Sequence, residues 1–193
     1  MIKVAIFGGS FNPITKGHVQ CAELVLSSCD IDEVWFNPCY NSLYGKSLLE
    51  ADKRLHLCEL AIKNNPKLKV FDYEIKNKLQ GSTYYFLNQL LNDPEYKNYN
   101  FSFMMGSDSA NKFHTWVNAE ALKSLIRFII LERNDITIDS WFFNHPHIYL
   151  KNPIPNISST LARSLLANKD KKALDVLHEN VYNHIVENAL YLQ

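Results

Sequence analysis

The chain opens Ile2-Lys3-Val4-Ala5-Ile6-Phe7-Gly8-Gly9-Ser10-Phe11-Asn12-Pro13-Ile14-Thr15-Lys16-Gly17-His18-Val19. Residues 2–7 are an apolar run broken only by Lys3, and Gly8-Gly9 ends it. In 17–28 the polar residues Lys16, Gln20, Glu23 and Ser27 recur at helical spacing and leave Val19, Ala22, Val25 and Leu26 for a buried face. The stretch therefore reads as buried strand, glycine turn, amphipathic helix. The same alternation continues: strands are expected at 33–37, 68–73, 101–105, 127–131 and 147–150, and helices at 50–64, 83–92, 116–125 and 158–167. A last helix is expected over 173–190, with Leu174, Leu177, Val181 and Ile185 on its apolar face. Continuous apolar strands alternating with helices indicate an α/β fold: a doubly wound, mostly parallel sheet covered on both faces, in one domain spanning 1–193. In such sheets ligands bind outside the carboxyl ends of the strands, and the first strand-to-helix turn is the place to look.

That turn has the chemistry of a phosphate seat. Gly8 and Gly9 let backbone approach a ligand, Ser10 adds a hydroxyl, and the following helix offers free N–H groups and the positive end of its dipole. It is neither the three-glycine dinucleotide fingerprint nor a P-loop, since no G-K-[ST] closes it. Glycines alone would make only a tight turn. His18, one turn into the helix, adds a donor aimed where charge builds on a phosphorus or bridging oxygen.

The 193 residues are 47% apolar and 21% charged, with 11 Phe, 10 Tyr and 3 Trp, a composition that excludes disorder as the main state. Lys+Arg and Asp+Glu balance at 20 each, so no broad positive field exists to hold a nucleic acid. An anionic ligand must be met by a local site. Cys21, Cys29, Cys39 and Cys58 have no zinc-type spacing and read as reduced core residues. No 18-residue apolar run suggests a membrane span, and the first apolar run is too short for a signal peptide, so a cytoplasmic protein is expected. Only four arginines are present against 16 lysines, which makes each arginine's placement informative.

Gly9-Ser10-Phe11-Asn12-Pro13-Ile14-Thr15-Lys16-Gly17-His18 resembles the G-[ST]-F-[DN]-P-x-[HT]-x-G-H signature of the nucleotidylyltransferase superfamily. Over essentially its whole length the chain resembles the nicotinate/nicotinamide mononucleotide adenylyltransferase branch. Thr15 stands where many members carry a first His, while His18 is kept. The resemblance implies that Gly8, Gly9, Ser10, Phe11 and His18 meet the phosphates of ATP.

Near the C-terminus, Asn156-Ile157-Ser158-Ser159-Thr160-Leu161-Ala162-Arg163 opens a helix. Hydroxyls at a helix start are ordinary caps, but Arg163 lies on the same face as Ser159 and Thr160, which suits a polyphosphate clamp. The segment resembles the superfamily's I-S-[ST]-[ST]-x-x-R motif, which implies that Ser158, Ser159, Thr160 and Arg163 hold the β- and γ-phosphates. Two helix N-termini at one sheet edge can hold a triphosphate between them.

Gly106-Ser107-Asp108, with Trp116 eight residues later, resembles the G-[AS]-D…W pattern. It implies Asp108 at the nucleotide ribose, beside Gly106, and Trp116 stacked on a pyridine ring. On local grounds Asp108 sits at or near an N-cap and Trp116 could be core. Thr83 aligns with a contact to the mononucleotide. Arg133 stands where the family places a basic residue, or it pairs with Glu132 or Asp135. Lys46 resembles the family's loop lysine and either reaches the triphosphate or is a solvated charge. His145-Pro146-His147 lacks a third ligand nearby and reads as a strand edge.

The resemblance implies adenylyl transfer from ATP to nicotinate mononucleotide, giving the deamido-NAD dinucleotide and pyrophosphate. Mg²⁺ enters with ATP and no metal site is expected on the protein. His18, Arg163 and Lys46 are the expected catalytic residues, acting by position and charge rather than as nucleophiles. The alternatives are nicotinamide mononucleotide as acceptor, a pantetheine-phosphate or cytidylyl transferase, and a non-catalytic nucleotide sensor. The expected partners are small molecules, with no nucleic acid and no membrane; oligomeric state is left open, a homo-oligomer included.

Overall fold

The strands are built from residues whose alternate side chains serve two different cores. In the computed structural model, which describes residues 1–42, 45, 47–133, 136–151 and 157–192, β1 (Ile2–Gly9) sends Ala5 and Phe7 to one face and Val4 and Ile6 to the other. β2 (Glu33–Pro38) divides Val34 and Phe36 from Trp35 in the same way, and β4 (Tyr99–Gly106) divides Met104 from Phe101, Phe103 and Met105. Burial on both faces is why these strands read as unbroken apolar runs. With β3 (Leu68–Val70), β5 (Arg127–Leu131) and β6 (Ile148–Leu150) they form one six-stranded sheet ordered β3-β2-β1-β4-β5-β6. Every neighbouring pair is parallel. The strand order reverses between β1 and β4, which places the crevice at Gly8-Gly9 and Gly106, where those two strands end.

One face is covered by α1 (Lys16–Ser28), α2 (Ala51–Ile62), α7 (Ser159–Ala167), α8 (Ala173–Val176) and α9 (Glu179–Glu187). The other carries α3 (Tyr73–Lys76), α4 (Thr83–Leu91), α5 (Ser107–Ala110) and α6 (Ala119–Leu125). The second core is rich in rings: Phe113 packs on Trp116, Phe128, Trp141 and Phe142.

Most expected limits shift by no more than about two residues, and three elements differ by more. The expected strand 68–73 ends at Val70; Phe71 still donates its N–H to Phe36 O, but Tyr73 opens a helix. The expected helix 116–125 starts only at Ala119, because Asn118 takes a left-handed conformation with φ 51°. The expected helix 173–190 is two helices. Leu177 is fully buried in extended backbone (φ −113°, ψ 146°), and the break leaves Leu174 at solvent while Leu177, Val181 and Ile185 stay in the core. All four cysteines are free, but only Cys21 and Cys58 are core; Cys29 and Cys39 are half-buried. His147 Nδ1 accepts the N–H of Phe128, a strand-edge role. No helix among the described residues is long and apolar enough to cross a membrane.

Candidate active site

The first turn folds inward, and Phe11 is its anchor. Phe11 adopts φ 42° and is 2% exposed, its ring packed on Phe7, Phe36 and His18 at centroid distances of 5.4, 5.5 and 5.2 Å. Its side chain is therefore core, and the residue lines neither cavity of the crevice, so its part is to anchor the turn rather than to meet a phosphate as expected. The glycines before it are demanded by ring packing as well as by ligand approach: a Cβ on Gly8 would stand 2.7 Å from Phe103 Cζ, and one on Gly9 would stand 3.0 Å from Phe11 Cζ.

Three side chains from distant elements hold the carbonyls of this turn. Arg54 Nη1 donates to Ser10 O at 2.7 Å, Arg163 Nη1 to Asn12 O at 2.7 Å, and Ser159 Oγ to Pro13 O at 2.8 Å. Asn12 adds a fourth tie, since its Oδ1 accepts from Leu49 N and from Tyr191 Oη. Arg54 is wholly buried and also donates to Leu49 O, Cys39 O and Tyr40 O. It knits the turn to the chain leaving β2, a fully buried guanidinium satisfied by backbone.

His18 is held as a neutral donor. Its Nδ1 lies 3.0 Å from the Thr15 N–H and accepts from it, so the ring proton sits on Nε2. The Thr15 hydroxyl is 2.8 Å from the same nitrogen. Burial against Phe7 and Phe11, and secondarily the Arg133 cation, lower the His18 pKa to about 3.

α7 brings the second group of expected residues to the same place. Ser158 is the N-cap, its Oγ accepting from Leu161 N, so its hydroxyl serves the helix. Ser159 is tied to Pro13 O, and Thr160 Oγ1 accepts from Arg163 Nη2 at 3.3 Å. The half-buried Arg163 thus bridges Thr160 and the first turn. Lys46, Asn156 and Asp135 lie outside the described residues.

Across the crevice, Gly106 caps α5 and Asp108 is the second helical residue rather than the cap. Asp108 pairs with Arg133, Oδ2 to Nη1 at 3.9 Å. Arg133 does not bond Glu132, whose Oε1 instead accepts from Tyr149 Oη. A Cβ on Gly106 would meet Asp108 Oδ1 and come within 3.0 Å of Arg133 Cδ, so glycine there lets Arg133 fold across the strand end. Ser107 fixes that fold, donating to Arg133 O and accepting from Arg133 N.

A cleft of about 830 Å³, the size of a small-molecule site, is lined by Ser82, Asp108, Asn111 and Lys112 among others. A smaller cavity beside it is lined by Gly8, Gly9, Ser10, Cys39 and Glu74, and both share Gly81, Thr83, Ser109 and Trp116. Trp116 is partly exposed, its indole braced edge-on by Phe103 at 6.4 Å. The groove therefore runs from the first turn to a flat aromatic wall. Arg54, Asn12, Ser107 and Glu74 are the residues that local reading passed over. Asn12 and Ser107 sit inside the quoted motifs without being singled out, Arg54 had a signal as one of four arginines, and Glu74 had none. Among the described residues no three His, Cys, Asp or Glu side chains cluster as metal ligands.

A parallel sheet in this order, with its glycine turn, its neutral histidine and an aromatic-walled groove at the strand-order reversal, defines an α/β nucleotide-binding transferase. The chain belongs to the cytidylyltransferase-like family, whose model matches residues 6–165. It is 36% identical over 195 residues to the "probable nicotinate-nucleotide adenylyltransferase" of Flavobacterium psychrophilum, covering 98% of this chain and 99% of that one. It is 30% identical to the nicotinate-nucleotide adenylyltransferase of Bacillus subtilis, covering 99% of each. In fold it is similar to Plasmodium falciparum nicotinic acid mononucleotide adenylyltransferase complexed with NaAD. That likeness has a TM-score of 0.84 and 27% identity, and covers 99% of this chain and 98% of that one.

Proposed function

We infer that this protein is an adenylyltransferase that joins ATP to nicotinate mononucleotide, forming the deamido-NAD dinucleotide and releasing pyrophosphate. A phosphate oxygen of the mononucleotide attacks the α-phosphorus of ATP in line. The bond from that phosphorus to the oxygen bridging α- and β-phosphates breaks, and that oxygen leaves with the pyrophosphate. No protein nucleophile takes part, and catalysis consists of positioning and charge stabilisation.

The observation that carries this reading is His18, a neutral imidazole whose Nε2–H is fixed by the Thr15 bond beside a turn clamped by Arg54, Arg163 and Ser159. A donor fixed in place before charge develops stabilises the transition state without reorganisation. In this reading Gly8, Gly9 and Ser10 receive ATP phosphates on a turn that Phe11 anchors, and Thr160 and Arg163 face the leaving pyrophosphate, with Lys46 assisting. Ser158 and Ser159 contribute through the helix end they cap and tie down. Trp116 stacks on the pyridine ring, Thr83 lies at its edge, and Gly106, Asp108 and Arg133 attend the ribose and phosphate of the mononucleotide. Mg²⁺ arrives as part of the ATP substrate. The names and complexes of the related proteins support nicotinate as the acceptor. A cytoplasmic location fits an enzyme of soluble nucleotides.

The test is pyrophosphate release. Purified protein with ATP and nicotinate mononucleotide releases pyrophosphate and dinucleotide in equal amounts, and with ATP alone releases neither. Release without dinucleotide, or none with any acceptor, sinks the assignment.

A further inference from the structure

Three buried polar atoms without a hydrogen-bond partner lie on elements that border the groove: Asn37 Oδ1 at the end of β2, Glu74 Oε2 on α3 and Ser82 Oγ before α4. Glu74 is the one that carries chemistry. It is 6% exposed and lines the cavity it shares with Gly8, Thr83 and Trp116. Its Oε1 accepts from Asn37 Nδ2 at 2.7 Å, while Oε2 has no donor in hydrogen-bond geometry, the Tyr40 backbone N–H acting on the carboxyl without closing a bond to that oxygen. A buried carboxyl oxygen left unpaired is costly, and in the wall of a ligand cavity a group on the ligand can supply the missing partner.

The ligand's variable group is known from its chemistry. The aromatic wall at Trp116 suits the pyridine ring, and the ring carries either a carboxylate, which only accepts, or a carboxamide, which also donates. This step rests on the adenylyl-transfer reading above. We propose that Glu74 is a specificity-determining residue for the acceptor: its free oxygen meets the ring substituent, donating to a nicotinate carboxylate when protonated and accepting from a nicotinamide N–H when ionised.

Both forms of Glu74 are within reach. Burial raises its pKa to about 7. The Asn37 amide from β2, the Arg54 guanidinium from α2 and the Tyr40 backbone N–H after β2 pull only part of the way back. The Cys39 thiol also faces it, held neutral mainly by burial, and the neighbouring Tyr73 hydroxyl turns away to Asp93. The sign follows. Below the folded pKa the acid form offers a proton to nicotinate; above it, two carboxylates face each other and nicotinate is repelled.

The experiment measures kcat/KM for nicotinate and nicotinamide mononucleotides with ATP from pH 6 to pH 8. The mononucleotide phosphate titrates alike in both, so it cancels in the ratio. In the unaltered protein the nicotinate-to-nicotinamide ratio falls about a hundredfold across this range, because it follows the ratio of protonated to ionised Glu74, about 10 at pH 6 and about 0.1 at pH 8 for a group titrating near 7. In Glu74→Gln, a neutral side chain of equal length that can both donate and accept, the ratio becomes flat. A flat ratio in the unaltered protein overturns the proposal whether or not the variant folds, and is the result if Glu74 only holds a buried water. A variant that retains the original slope overturns it equally. If neither mononucleotide is adenylylated, the transfer reading falls and takes this proposal with it; activity with a flat ratio removes only the role of Glu74.

Discussion

Arg163 Nη1 donates to the carbonyl oxygen of Asn12 at 2.7 Å, joining residues 151 positions apart. One guanidinium thus closes the first turn against α7, with its other end on Thr160. Arg163→Ala loses a charge-assisted hydrogen bond of about 1.5–3 kcal/mol and, if the clamp also meets the leaving pyrophosphate, about 10²-fold or more in kcat. Arg163→Lys keeps the charge without the fork, so it regains stability better than turnover. Urea midpoints and initial rates on the two variants separate the structural from the chemical share.

Arg54 makes a different prediction because it is fully buried and its donors go to four carbonyls. Arg54→Met keeps most of the volume and leaves Ser10 O, Cys39 O, Tyr40 O and Leu49 O without that partner. The loss is at least about 3 kcal/mol, since several buried acceptors are orphaned together. Ser10 O belongs to the phosphate turn, so the KM for ATP rises along with the loss of stability. A variant that is destabilised with an unchanged KM for ATP would show that Arg54 supports only the fold.

These two arginines also show where local reading stops. Strand 127–131 matched its expected limits because both its faces are buried, which leaves a continuous apolar run as a local signature. The first turn was legible because its strand, glycines, cap and His18 are adjacent in sequence. The 173–190 pattern misled because apolar spacing registers which side chains are buried and not where the backbone turns extended at Leu177. The clamps were invisible for a related reason: Asn37 meets Glu74 across 37 positions, Arg54 meets Ser10 across 44, and Arg163 meets Asn12 across 151. Pairings made by the sheet order leave no local mark. His18, Trp116 and Arg163 stood out through their motifs, whereas Glu74 sits in a four-residue helix with no pattern of its own.

Gly8 tests how tightly the strand end is packed. A Cβ there would sit 2.7 Å from Phe103 Cζ, closer than real Cβ contacts, so Phe103 must move in Gly8→Ala. Overpacking of this kind costs about 1–3 kcal/mol. Phe103 lines the cavity beside the turn, so the shift also raises the acceptor KM. Phe103→Leu removes the obstructing ring. In a double-mutant cycle the two changes together cost less than the sum of the singles, and strict additivity would refute the contact.

His18 links stability and catalysis through one proton. Its folded pKa is about 3, below the ordinary 6.5 of an unfolded histidine, chiefly because of burial and then because of Arg133. Above pH 6.5 neither state binds this proton, and the histidine's contribution is fully present. As pH falls through 6.5 towards 3, the unfolded chain takes a proton that the folded one refuses, and that contribution is lost. At pH 5.5 the loss is about 1.4 kcal/mol, and in His18→Gln this slope disappears. Catalysis separates from stability in the same pair of variants. Glutamine keeps a neutral N–H near the depth of Nε2, whereas His18→Ala removes the donor and lowers kcat by about 10²-fold or more. The free-enzyme kcat/KM has no acid limb from His18 between pH 5 and 8, since the residue is neutral throughout. A basic limb near 6.5, with activity falling as the pH rises, that vanishes in His18→Gln would mean that a charged imidazolium, rather than the fixed neutral donor, does the chemistry.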